Sequence, residues 1–316
     1  MDTGVASLLP TTHSRLSQNA YISGKITLFI SQSQPPPSTM SDANIPLHNR
    51  AHIDKHLAQI EKDHNVDILF AVESGSRMWG FASLDSDFDV RFVYRAREDG
   101  FYTSFARIGH PYKDTIQHIS ADRLYDYSGW DLPKFMRHLA AMNTSIIEWC
   151  RSEIIYVNCT IRDRETFQSR VRDYVTRFTQ PEHLLRPYRG MLLSTKCCSL
   201  ENVKRAMYTA RILLVLDLVE RGIKPAAFTW RYLLDQASWS EDEKAILVQL
   251  HAKKIISAEK NEGLPVEARK LLEGKVEPVR RQVSQVCTNP KEAADSDDDK
   301  GTVLSEIWTS FLYDCM

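Results

Sequence analysis

Residues 73–91 run Glu73-Ser74-Gly75-Ser76-Arg77-Met78-Trp79-Gly80-Phe81-Ala82-Ser83-Leu84-Asp85-Ser86-Asp87-Phe88-Asp89-Val90-Arg91. Ahead of them, Val66 to Val72 is an apolar run of strand length. Behind them, Phe88, Val90 and Phe92 alternate with Asp87, Asp89 and Arg91, the period-two signature of a half-buried strand. The stretch therefore reads as a strand, a Gly-Ser turn, ten residues, and an Asp-x-Asp opening a second strand. Alternation puts Asp87 and Asp89 on one face, with Cα atoms about 6.6 Å apart at about 3.3 Å per residue. Two carboxylates so placed can converge on one or two hard cations. Mg²⁺ takes few carboxylates plus phosphate oxygens, which suits an in-line phosphoryl displacement. Gly75 lets the backbone approach an anion, and Ser76 offers it a hydroxyl and an amide. Either element alone is common in surface turns; the two together, between two strand-like runs, are restrictive.

Around this stretch the chain is of ordinary soluble composition. Its 316 residues are 43% hydrophobic and 26% charged, with a net charge of −1. Wholesale disorder and a fibrous repeat are excluded, and no run approaches the roughly 20 apolar residues of a membrane span, so no membrane partner is expected. Residues 66–133 carry 11 acidic and 7 basic side chains, whereas residues 150–211 carry 12 basic and 6 acidic. Such an asymmetry fits metal ligands facing an anion-holding wall, and equally two solvated surfaces. The six cysteines form no CxxC pair, and no secretory signal opens the chain. A reduced compartment, the cytoplasm, is expected; a mitochondrial transit peptide in the acid-poor leader is the weaker alternative.

The organisation expected is α+β: a small sheet with flanking helices, then an all-helical half. Residues 1–48, rich in Ser, Thr, Gln and Pro, read as a disordered leader. The α/β half spans 49–157. It opens on a helix carrying Ile53, Leu57 and Ile60 at helical spacing, and has further extended pieces at Tyr112 to Ile119 and Leu124 to Tyr127. Beyond Val157 the pattern is wholly helical. Residues 158–286 form the helical domain, best seen in Leu200 to Glu220 with one apolar side and Gly222 as its stop. Residues 287–301, with Asp295 to Asp299, read as an acidic linker, and 302–316 as a final helix returning to the core through Val303, Ile307, Trp308 and Phe311.

The Gly-Ser and Asp-x-Asp pair resembles the signature of polymerase-β-type nucleotidyltransferases. The longer string is similar to that of the YcgL/RlaP-type nucleotidyltransferases of bacteria and phages, a family placed in RNA repair pathways. Two further blocks carry the resemblance: Asp126-Tyr127-Ser128-Gly129-Trp130-Asp131-Leu132 with Lys134, Asn143 and Glu148-Trp149, and, more loosely, Lys204 to Arg211. In the last block Ala206 stands where the family usually has Tyr. The likeness covers about Ile68 to Leu234.

The resemblance implies a small polymerase-β-like sheet, an NTP with Mg²⁺ or Mn²⁺, and transfer of a nucleoside monophosphate to a hydroxyl with release of pyrophosphate. It implies Asp87 and Asp89 as catalytic metal ligands and a third carboxylate on a neighbouring strand, which completes the metal site and often acts as general base toward the incoming hydroxyl. Asp126 is the choice; Asp131 competes but stands where a helix N-cap is expected, and Asp114 follows at a distance. Gly75, Ser76 and Arg77 are expected at the nucleotide. Lys204, Tyr208 and Arg211 fall at i, i+4 and i+7, one helical face suited to a triphosphate tail and a stacked base, or else to solvent with Tyr208 as core filler. Trp130, Trp149, His118 and His138 read as structural. The acceptor is an RNA 3′ end, a small molecule or a protein hydroxyl, with RNA favoured. The competing function is a nucleotide- or RNA-binding module of the same fold that has lost turnover.

Overall fold

The computed structural model describes residues 45–98, 101–102, 113–161, 165–194, 200–256, 263–286 and 298–313. The chain divides after Thr39, and the described residues belong to the unit Met40–Met316. The expected leader up to residue 44, the Cys197-Cys198 pair, Cys287 and Cys315 lie outside the described residues.

Helix α1 (Leu47–His64) buries Ile53, Leu57 and Ile60, as their spacing requires, and ends where Asn65 turns left-handed and donates its N–H to Glu61. Strand β1 (Val66–Glu73) follows, then the single turn α2 (Gly75–Met78) and strand β2 (Phe88–Ala96). Strands β3 (Thr115–Ile119), β4 (Tyr125–Asp131) and β5 (Ile155–Asn158) complete a mixed sheet of order β3-β4-β2-β1-β5. Only β2 and β4 run parallel; β1 is antiparallel to β2 and β5, and β3 to β4. The strand expected from Leu124 to Tyr127 reaches Asp131, because the ladder with β2 continues from Phe88–Tyr125 to Tyr94–Asp131 through the weak strand formers Ser128 and Gly129. Gly129 is required there: a Cβ would stand 2.1 Å from the Phe92 ring opposite it. β5 is not anticipated as a strand, and beyond Val157 the expectation of helix alone is corrected only at its last residue, Asn158, and at the Thr160–Thr166 bridge. The apolar run at Ile154 to Val157 becomes a strand by pairing with β1, a long-range partner that local pattern does not reveal.

Alternation on β2 sorts the two faces. Phe88, Val90, Phe92 and Tyr94 join α1, Tyr125 and Tyr127 in one apolar cluster. Asp89, Arg91 and Val93 point the other way, where Val93, Leu69 and Val72 join a second, larger cluster with the helices. Those helices are α3 (Leu132–Ala140), α4 (Thr144–Trp149), α5 (Phe167–Phe178), α6 (Pro181–Leu193), α7 (Val203–Glu220), α8 (Trp230–Gln236), α9 (Glu241–Ile256), α10 (Val266–Val286) and α11 (Asp298–Tyr313). The core thus runs unbroken from the sheet into the helical half. Helix α7 is buried on nearly every side, not along one stripe, because α6, α8, α9 and α10 pack around it. Its neighbour α9 starts with a reciprocal cap, Ser240 and Glu243 each bonding the other's backbone N–H.

The last helix returns to the core as expected: Ile307 and Phe311 are buried, and the Phe311 ring stacks on Phe167 at 4.0 Å. It begins earlier than the pattern implied. Asp298 and Asp299, placed in the acidic linker, form its first turn, and Asp299 pairs with Arg177. Acidic residues are stabilised at the positive end of a helix dipole, which favours helix over linker there. Among the described residues, no helix is long and apolar enough to cross a membrane.

Candidate active site

The helix-facing side of β2 and β4 carries the acidic constellation. Asp89 sits on the central strand, and its carboxylate lies directly over Gly75. A Cβ at position 75 would fall 2.0 Å from Asp89 Oδ2, and Gly75 has φ +61, so both the space and the backbone demand glycine. The backbone of Asp89 is held on both sides: its carbonyl accepts the Ser74 N–H at 2.9 Å, and its N–H donates to Glu73 Oε1 at 3.0 Å. Glu73 is fully buried, its other oxygen accepting the Tyr156 hydroxyl at 2.6 Å. Burial pushes the Glu73 carboxyl up to about 7, against the pull of these hydrogen bonds.

Parallel pairing sets Asp126 of β4 opposite Asp89. The Arg91 guanidinium bridges the two, 2.8 Å from Asp89 Oδ1 and 2.9 Å from Asp126 Oδ2, and also donates to the Asp126 carbonyl at 2.8 Å. Asp87 and Lys204 lie close enough to act on Asp89 electrostatically. Burial, with repulsion from Asp87 and Asp126, raises the Asp89 carboxyl to about 6, while Arg91 and Lys204 pull it down. Three like charges gathered on one face are the condition a divalent cation relieves.

The donor set fits such a cation. It is all hard carboxylate oxygen, and Gly75 leaves the room that Asp89 needs. Among the described residues, no group of three or more His, Cys, Asp or Glu is placed to hold a metal ion by itself. Mg²⁺ needs none, since it is held through one or two carboxylates together with substrate phosphates and water. Asp87 and Asp89 can supply that pair, while Asp126 stands against Arg91.

Several other candidates take different places. Asp131 is fully buried and accepts the Lys134 N–H at 2.8 Å, so it caps α3. It points to the opposite face of β4 from Asp126. Asp114 is bound by Lys134 at 3.1 Å, and its hydrogen bonds to Thr115 and Lys134 hold its carboxyl below the usual range. Ser76 is buried, and its carbonyl accepts the Phe81 N–H. Arg77 turns away from the carboxylates: it donates to the Ser86 and Asp87 carbonyls and lies over the Phe88 ring at 3.8 Å. It shapes the loop that presents Asp87.

The face of α7 that carries Lys204, Tyr208 and Arg211 divides in the same way. Lys204 lies near enough to Asp89 to favour its charged form. Tyr208 packs edge-on against Trp79 and Phe81. Arg211 is buried at 3% exposure, 3.1 Å from Glu148 and 3.7 Å above the Trp79 ring. Glu148 is completed by the Trp79 indole N–H at 2.8 Å and by the Tyr188 hydroxyl. Arg211 therefore ties α7 to α4, α6 and the residue that follows α2. The wider basic segment is engaged likewise: Arg170 pairs with Glu165, Arg189 with Glu220 and Arg177 with Asp299, while Arg172 donates to the Cys150 carbonyl. Trp130 packs on Trp149 and His138, and His118 on His56.

Sequence reasoning assigned no role to Arg91, Glu73 or Tyr156. Arg91 was findable, since it stands two residues beyond Asp89 and so shares its face. Glu73 and Tyr156 meet only because β5 adds to β1, which nothing local announces.

Comparisons with known proteins identify the family. A family model described as "RlaP: RNA repair pathway DNA polymerase beta family" matches residues 49–299. "Uncharacterized protein YcgL" of Bacillus subtilis (strain 168) is 30% identical over 226 residues, covering 70% of this chain and 80% of that protein. Residues 49–299 include the loop that presents Asp87 and the elements β2, β4 and α7 that carry Asp89, Asp126 and Lys204, and on that match the chain belongs to the RNA repair pathway DNA polymerase beta family.

Proposed function

We propose that the protein is a metal-dependent nucleotidyltransferase that moves a nucleoside monophosphate from an NTP to a hydroxyl, with RNA as the favoured acceptor. The observation that carries this reading is the seating of Asp89 over Gly75 with Asp87, Asp126 and Lys204 around it. A bound Mg²⁺ or Mn²⁺ would supply charge neutralisation at the triphosphate and at the pentavalent transition state. Asp87 and Asp89 would hold it. Lys204, at the start of α7, offers the triphosphate a cation from the helical side. Asp126 is the more exposed of the Arg91-bound pair, 35% against 20% for Asp89. Asp126 would accept the proton of the attacking hydroxyl, a role its greater exposure supports. Arg91 keeps the two carboxylates apart and oriented. Catalysis of this kind rests on positioning and electrostatics, which a rigid central strand provides.

The test is pyrophosphate release with each NTP and Mg²⁺, with and without a mixed RNA pool, for the wild type and for Asp87→Ala/Asp89→Ala. Release that needs both carboxylates and is raised by RNA supports the reading. NTP binding with no release from any NTP would favour the binding module that has lost turnover.

A further inference from the structure

Lys254 is a charged side chain at 1% exposure, on α9, and the site described above makes no use of it. Its ammonium donates to Ser83 Oγ at 2.7 Å. Ser83 closes a turn with Ser86: the Ser86 N–H donates to the Ser83 carbonyl at 3.1 Å, the Ser83 N–H to Ser86 Oγ at 3.0 Å, and the two hydroxyls lie 3.1 Å apart. Both serines are buried, and the next residue is Asp87. One turn earlier on the same helix, the His251 Nε2–H donates to the Gly80 carbonyl at 2.9 Å. The neighbouring helices grip the same segment. The Trp230 N–H of α8 donates to the Trp79 carbonyl at 2.7 Å, and Tyr208 and Arg211 of α7 pack on Trp79. The segment from Trp79 to Ser86 is thus held from the helical half by five residues, Tyr208, Arg211, Trp230, His251 and Lys254, and the residue after it is the first carboxylate of the Asp-x-Asp pair.

We propose that Lys254, with His251 beside it, is a positioning residue: through the Ser83–Ser86 turn it fixes Asp87 against Asp89 and so sets the divalent-cation affinity of the site. A buried ammonium is costly to desolvate and is kept only where polar partners meet it, which makes this contact a rigid one. The helical half then completes the metal site without contributing a ligand. The inference rests on Asp87 and Asp89 being the cation's ligands.

The experiment is a Mn²⁺ titration of the full chain, followed by electron paramagnetic resonance of the free ion, with thermal melting recorded in parallel. The variants are Lys254→Met, Ser83→Ala, their double, Asp87→Asn, and Leu247→Ala as a buried α9 control. Asp87→Asn should abolish tight Mn²⁺ binding. Lys254→Met and Ser83→Ala should each weaken it by about tenfold, the scale of outer-shell partners, and the double variant should cost no more than the worse single one. Leu247→Ala should lower the melting temperature and leave Mn²⁺ affinity unchanged. Should Lys254→Met not fold, Ser83→Ala carries the same test. Loss with Asp87→Asn but unaltered affinity in Lys254→Met and Ser83→Ala would overturn the positioning role and leave the site standing. Equal weakening by Leu247→Ala would overturn it too, by making the effect one of general stability. Unaltered affinity in Asp87→Asn would remove the metal reading itself, and the inference with it.

Discussion

Gly75 concentrates the residue-scale argument. One missing methyl group allows a carboxylate from the next strand to lie over the backbone, and a left-handed φ turns the chain from β1 into α2 at that point. Gly75→Ala introduces both a 2.0 Å overlap with Asp89 Oδ2 and a conformation that costs an L-residue about 1–2 kcal/mol. Chemical denaturation should show a loss of at least that size, and pyrophosphate release should vanish because Asp89 is displaced. Wild-type release from the Ala variant would mean that Asp89 is not where the reaction takes place. The glycine and the Asp pair were legible in the sequence, since their spacing is local. The partners of Asp89 were not: Glu73 and Tyr156 meet across β1 and β5, and Arg91 finds Asp126 only through a parallel ladder between strands that are distant in sequence.

Helix α7 shows how an element can mislead. Its sequence places Lys204, Tyr208 and Arg211 on one face, and that face does turn toward the site, yet most of it is consumed in packing. Arg211 and Glu148 form a buried ion pair inside a ring of Trp79 and Tyr188, so Arg211→Met leaves a carboxylate without its counter-charge. Removing one partner of such a pair costs about 3–5 kcal/mol, and urea unfolding should register a loss of that order. Lys204→Ala, one end of the same face, should leave unfolding within about 0.5 kcal/mol of wild type, as partly exposed substitutions do. It should weaken NTP binding instead. Equal destabilisation by the two would contradict this division of the face. Periodicity identified the helix correctly and could not report how many neighbours surround it, which is why a stripe was expected and a nearly all-round buried rod is found.

At the scale of the whole molecule, the sheet separates two chemistries. Its helical side carries the carboxylates, and its α1 side carries a cluster of His52, His56 and His118 stacked among Tyr125 and Tyr127. Burial, reinforced by the neighbouring His118 and His52 and opposed by Asp63, lowers the affinity of His56 for a proton below the ordinary value of 6.5. As pH falls through about 6.5 the unfolded chain therefore takes up a proton that folded His56 resists. Stability that is complete at neutral pH is then lost progressively on acidification. Protonation of Glu73 and Asp89, whose carboxyls burial holds up at about 7 and about 6, acts the other way over this range and is common to both proteins, so between pH 7.5 and 5 the wild-type urea midpoint should fall relative to that of His56→Gln. A slope unchanged by His56→Gln would place the pH dependence elsewhere. None of this was visible in the sequence, where His118 read as structural and α1 as an amphipathic helix; the cluster exists because β3 brings His118 under α1.

The central claim is that the face holding Asp87, Asp89 and Asp126 transfers a nucleotide. The most direct measurement incubates the full chain with Mg²⁺, each α-³²P-labelled NTP and RNA with free or periodate-blocked 3′ ends, and follows label into the RNA. Label should enter RNA with free 3′ ends, fail with blocked ends, and disappear in Asp87→Asn and Asp89→Asn. Label that enters RNA equally well in the Asp→Asn variants, or no label from any NTP, would contradict it.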